Sequence, residues 1–118
     1  EETHIMENII YNDLVRRGYN VDVGVVEYNQ TKDNKKKKIQ LEVDFVVNRG
    51  NIKYYIQSAL ALESDEKKEQ ELNSLKRIDD SFKKIIIVKD DIIPRYNEQG
   101  IYYIGIKDFL LTDNILEN

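Results

Sequence analysis

Residues 40–62 read QLEVDFVVNRGNIKYYIQSALAL. Two runs of alternating apolar and polar residues flank Asn48-Arg49-Gly50-Asn51, and alternation with a period of two is the pattern of a strand with distinct faces. Gly50 accepts the positive φ that a tight turn requires, so the stretch predicts an antiparallel hairpin of Ile39–Asn48 and Ile52–Leu60. In its first strand Ile39, Leu41, Val43, Phe45 and Val47 share one face, and Gln40, Glu42, Asp44 and Val46 the other. In its second, Tyr54, Ile56 and Ser58 lie opposite to Tyr55, Gln57 and Ala59. A turn centred on Arg49 and Gly50 sets Asp44 across from Tyr55, with Gln57 as its diagonal neighbour about 7–8 Å away at the backbone. Asp44 and Gln57 could then both reach one ion.

Upstream, Thr3–Arg17 predicts a first helix, capped by Thr3, closed at Gly18, and carrying Arg16 and Arg17 in the last turn where cations suit the helix dipole. Met6, Ile10, Leu14 and Tyr11 form its apolar stripe, and Glu7 falls inside that stripe. A carboxylate there must reach a polar partner or stand at the rim of a cavity. Val21–Tyr28 predicts a strand with Val21, Val23 and Val25 on one face. Asn29–Lys38, NQTKDNKKKK, reads as a polar loop ending in four lysines. Such a loop keeps a hairpin soluble; the alternative is a finger that contacts phosphates.

Downstream, Ser64 caps a second helix whose polar first half is followed by Leu72, Leu75, Ile78 and Phe82 as anchors. Ile85–Val88 is an uninterrupted aliphatic run, the signature of a strand buried on both faces. A loop containing Pro94, a last strand at Ile101–Ile106 and a short helix from Lys107 to Leu111 complete the order α-β-β-β-α-β-β-α. This predicts an α/β fold in which a mixed sheet, beginning with an antiparallel meander, carries helices packed against it.

With 118 residues, 41% of them apolar and 34% charged, the sequence predicts one soluble domain over 1–118. It begins at Glu1 rather than Met, so a fragment of a longer protein is expected. No apolar run reaches the roughly 20 residues that span a bilayer. The absence of cysteine excludes thiolate metal sites and Cys nucleophiles and suits a reducing cytoplasm. The single histidine, His4, lies too near the end to serve a Ser-His-Asp site. A net charge of −4 argues against a protein built around sequence-independent DNA affinity, though not against a local basic patch.

A hard cation such as Mg²⁺ takes oxygen ligands, and Glu7, Asp44 and Gln57 are the oxygen donors the predicted fold could bring together. Helix glutamate, aspartate on the second strand of a meander, then an acid-x-Lys triplet on the third resembles the PD-(D/E)xK restriction-endonuclease-like fold. The phrases MENIIYNDLVRRGYNVDVG, LEVDFVV, YYIQSAL and EQELNSLKRIDDSFKKIIIVKDD resemble, more narrowly, a domain of unknown function found C-terminal to prokaryotic AAA-type ATPase modules. The resemblance covers His4 to about Asp113. It implies that Glu7 is the helix glutamate, Asp44 the metal-binding aspartate, Gln57 the acid of the triplet and Ala59 its lysine.

Two of those four positions depart from the pattern. Gln57 keeps an oxygen but brings no charge, and Ala59 can neither position a water nor offset phosphate charge. Lys67 or Lys68 on the second helix could take the lysine's place. The leading expectation is a catalytically degenerate nuclease-fold domain that binds or regulates within an ATPase protein, with DNA, another subunit or the ATPase domain as partner. The alternatives are an active Mg²⁺-dependent DNA endonuclease with a relocated lysine, and a protein–protein interaction module using Tyr102 and Tyr103. No GxxxxGK[ST] loop is present, so these residues do not bind ATP in that way.

Overall fold

Hydrophobic periodicity puts the strands where the sequence indicates, and the turns decide how they pair. A computed structural model describes residues 2–60, 75 and 81–113, with backbone alone at 25, 26, 28, 30, 39, 41 and 42. Among the described residues the chain forms α1 (Glu2–Arg16), β1 (Asn20–Lys32), β2 (Lys35–Arg49), β3 (Ile52–Ala59), β4 (Lys83–Val88), β5 (Arg95–Tyr96), β6 (Tyr102–Gly105) and α2 (Ile106–Leu111). The strands make one six-stranded sheet in the order β1-β2-β3-β4-β6-β5. The β1-β2-β3 meander is antiparallel, β3-β4 and β4-β6 are parallel, and β5 returns antiparallel to β6. The expected mixed sheet is therefore present, with one more strand than the sequence suggests.

Both faces of the sheet are covered. On one, Met6, Ile10 and Leu14 of α1 and Phe109 of α2 pack on Phe45, Val47, Tyr54, Ile56, Ile85, Ile87 and Ile104. On the other, the helical residue Leu75 is buried with Val43, Tyr55, Ala59, Ile86, Val88 and Tyr103. Ile85–Val88, aliphatic throughout and paired in parallel on both sides, is fully buried as expected.

Several local expectations are corrected. The helix starts at Glu2, so Thr3 sits inside it instead of capping it, and Tyr11 lies at the edge of the stripe and is exposed. Phe82 is exposed as well, and a short edge strand at Arg95–Tyr96 follows Pro94. The expected helix from Ser64, with Leu72 and Ile78, lies otherwise outside the described residues.

Larger corrections concern the meander. Asn29–Lys38 is not a loop: Asp33 and Asn34 both adopt positive φ, 53° and 62°, and turn the chain in two residues. That is the tight hairpin turn whose twist matches its strands, and Asp and Asn tolerate it best after glycine. β1 and β2 consequently pair as far as Lys32↔Lys35. The next turn places Gly50 (φ 61°) and Asn51 between the paired Arg49 and Ile52. Continued from Phe45↔Ile56, this register sets Asp44 against Gln57, not against Tyr55.

The even alternation of β2 is also broken. Between Asp22↔Val46 and Gly24↔Val43 the register shifts, so Val23 alone faces both Asp44 and Phe45. One extra residue on a strand kinks it and reverses its faces beyond that point. Phe45 and Val47 accordingly enter the core beneath α1, while Val43 enters the core on the opposite side. Val23, which alternation groups on one face with Val21 and Val25, is 81% exposed.

Candidate functional site

The bulge lies where β2 and β3 part. Their ladder ends at Phe45↔Ile56, and past it side chains replace backbone partners. The Gln57 Oε1 accepts the Asp44 N–H at 3.1 Å. In return the Asp44 carboxylate accepts the Ser58 N–H at 2.9 Å and the Ser58 hydroxyl at 2.8 Å, both through Oδ2. Ser58 is buried, so its N–H would otherwise lose a partner in a place where water could not readily supply one. Bonds to an ionised carboxylate are the stronger kind, and here they staple two diverging strands.

The structure therefore brings Asp44 and Gln57 into direct contact. Glu7, on α1, has a side chain 31% exposed and lies 3.7 Å from His4 Nδ1, one turn away. Ala59 is buried among the apolar residues of the second core, where an ammonium would need a partner. Lys67 and Lys68 lie outside the described residues.

The three oxygen-bearing side chains already have partners within the protein. Asp44 Oδ2 already holds two hydrogen bonds, Gln57 Oε1 is turned toward the Asp44 amide, and Glu7 faces His4. Among the described residues no group of three or more His, Cys, Asp or Glu side chains is gathered as a metal site. The bonds of Asp44 Oδ2 and Gln57 Oε1 bind the strands together.

A separate apolar groove of about 180 Å³ is lined by Ile5, Met6, Ile9, Leu60 and Ile106, with Glu2 and Lys89 paired at its edge. Its lining contains none of Glu7, Asp44 or Gln57. Of the two tyrosines considered as a contact surface, Tyr103 is buried and Tyr102 partly so. Burial pushes both phenols above their ordinary range, and for Tyr103 the Asn97 amide and Arg95 partly oppose that rise.

Sequence reading missed a heavily bonded polar group. Asp13 is buried on α1 and takes Arg16 Nη2 at 2.8 Å and Arg17 Nε at 2.7 Å. Arg17 then reaches α2, where its Nη2 donates to the Phe109 carbonyl at 2.6 Å. Arg49 lies over the Tyr19 ring at 4.6 Å and donates to the Arg17 carbonyl at 3.3 Å. The signal was present in DLVRR, which sets an acid three and four residues before two arginines, the spacing of neighbours on a helix.

The sequence has relatives elsewhere. The chain is 34% identical over 110 residues to an uncharacterised protein of Haemophilus influenzae, an alignment that covers 90% of this chain and 22% of the relative. Among the described residues no helix is long and apolar enough to cross a membrane. Residues 2–109 match the family described as Domain of unknown function (DUF4143), and the chain belongs to that family.

Proposed function

We propose that this chain is a PD-(D/E)xK-type nuclease-fold domain that has lost its catalytic centre and serves a binding or regulatory role within a larger AAA-type ATPase protein. The observation that carries this reading is the use made of the Asp44–Gln57 pair. Gln57 Oε1 and one carboxylate oxygen of Asp44, Oδ2, are committed to the strand junction, and Ala59, buried in apolar surroundings, stands where the triplet lysine is expected. A frame kept without its reactive groups is what loss of catalysis under continued selection for the fold leaves behind. That the alignment spans 22% of its relative's length leaves room in such a protein for an ATPase module.

Incubation of the chain with supercoiled plasmid and Mg²⁺ or Mn²⁺, beside an Asp44→Ala variant, tests the loss of catalysis. No nicking above that of the variant is expected. Asp44-dependent nicking would establish the endonuclease alternative, with Lys67 or Lys68 as the relocated lysine to substitute next. A GxxxxGK[ST] phosphate loop upstream in the longer protein is the expected mark of the ATPase module.

A further inference from the structure

The distal part of the β1–β2 hairpin is a basic ribbon that, among the described residues, extends beyond the ladder shared with β3. Pairing with β3 ends at Phe45, whereas β1 and β2 remain paired from Gly24↔Val43 out to Lys32↔Lys35. At the rise of a strand this carries the tip about 25 Å beyond the end of the shared ladder. The tip holds Lys32, Lys35, Lys36, Lys37 and Lys38, all exposed, in a chain of net charge −4. Register sorts these cations onto both faces of the ribbon. Lys32 and Lys35 are cross-strand partners, and Lys37 lies two residues on from Lys35, so these three share one face. Lys36 and Lys38 share the other, where Lys38 also meets Glu27 at 2.9 Å.

Lysines on an edge strand can serve simply to prevent strand-to-strand association. That role does not require a like-charged pair such as Lys32 and Lys35 directly across the ladder, which weakens the pairing. Nor does a flat acidic protein surface call for cations on two opposite faces. A slot with an anionic wall on each side does, and the major groove of B-DNA, about 12 Å wide, admits a two-stranded ribbon. The ribbon's reach of about 25 Å exceeds both the groove depth of about 8.5 Å and the screening length of about 8 Å in physiological salt. The acidic body is thus held where its repulsion is largely screened.

We infer that the hairpin tip is a DNA-binding element, inserting into the major groove of duplex DNA and contacting phosphates on both walls through Lys32 and Lys35–Lys37. This site is separate from the Asp44 junction and stands or falls independently of any catalysis there.

The test is fluorescence anisotropy with a labelled duplex of about 20 base pairs, titrated from about 50 mM salt upward. Binding is expected, and the triple variant K35Q/K36Q/K37Q should weaken it about ten-fold or more while lowering the slope of log K against log salt by about 2–3. Circular dichroism melting establishes that the variant retains its fold. If it does not, the single variants Lys36→Gln and Lys37→Gln should each lower the slope by about one. Duplex RNA, whose deep and narrow major groove excludes side chains, should bind more weakly. Absence of duplex binding at about 50 mM salt, or binding unchanged by loss of the lysines, would overturn the assignment. So would equal affinity for duplex RNA or for a polyglutamate peptide.

Discussion

The Arg17 guanidinium lies 4.8 Å over the Phe109 ring and donates to the carbonyl of that same residue at 2.6 Å. One side chain thereby fastens the end of α1 to α2 while neutralising the buried Asp13. Because a planar fork makes these contacts together, lysine is a poor replacement. Arg17→Ala is expected to cost about 2–4 kcal/mol, since it removes a partner from a buried charge, although Arg16 still reaches Asp13. Urea unfolding measures it. Arg17→Lys should recover less than half of the loss, and a double-mutant cycle with Asp13→Asn should show coupling well above additivity.

Asp44 is expected to matter for stability whether or not the chain acts on a substrate. Asp44→Ala leaves the buried Ser58 N–H and hydroxyl without their acceptor, a cost of about 1–3 kcal/mol. Asp44→Asn retains one acceptor oxygen and should cost less. A melting temperature unchanged in Asp44→Ala would show that the carboxylate does not hold the strands.

Gly24 lies where the bulged strand presses closest. A Cβ there would come within 2.4 Å of Val46 Cγ2 and 3.2 Å of the Val43 carbonyl oxygen. Gly24→Ala should therefore destabilise by about 1–3 kcal/mol through overpacking. Adding Val46→Ala should restore part of that loss, because it removes the nearer of the two obstructions. The comparison is made by denaturant titration of the single and double variants.

Alkaline pH should act through Tyr103. Its phenol is raised above 10.0 by burial, whereas in the unfolded chain it titrates at its ordinary value. Its contribution to stability is complete below about pH 10 and is lost as pH rises through the higher folded value, because the unfolded state releases its proton first. Melting temperatures from pH 8 upward should fall beyond about pH 10. Tyr103→Phe should have a shallower alkaline fall, at the cost of its 3.5 Å contact with Asn97.

The sequence makes the layers of this fold legible and its irregularities much less so. Ile85–Val88 could be recognised as a doubly buried strand because no polar residue interrupts it, and Met6, Ile10 and Leu14 as a stripe because a helix repeats every 3.6 residues. The register of the second hairpin was misjudged because Arg49-Gly50 and Gly50-Asn51 are both acceptable turn centres. The two choices move Asp44 from Tyr55 to Gln57. The bulge leaves no mark on alternation, since Val43 and Phe45 are apolar on whichever face they fall. NQTKDNKKKK suggested a loop by polarity alone, yet Asp33-Asn34 supplied a complete turn.

Within the candidate site, Asp44 and Gln57 could be paired by face, but not their mutual hydrogen bonding. Ser58 could not be foreseen as a member, because a regular strand would point it away from Asp44.

The sheet's neighbour relations also order its opening. β4 is enclosed by two parallel partners and two cores, whereas among the described residues the end of the β1–β2 ribbon pairs only within itself. Amides of Ile85–Val88 should exchange with solvent deuterium only when the whole domain unfolds, and those near Asp33 within the dead time of a manual experiment. Between these limits, protection should decline from β3 outward, with a step at Asp44. The junction would then mark the border between a cooperative body and an arm that opens on its own.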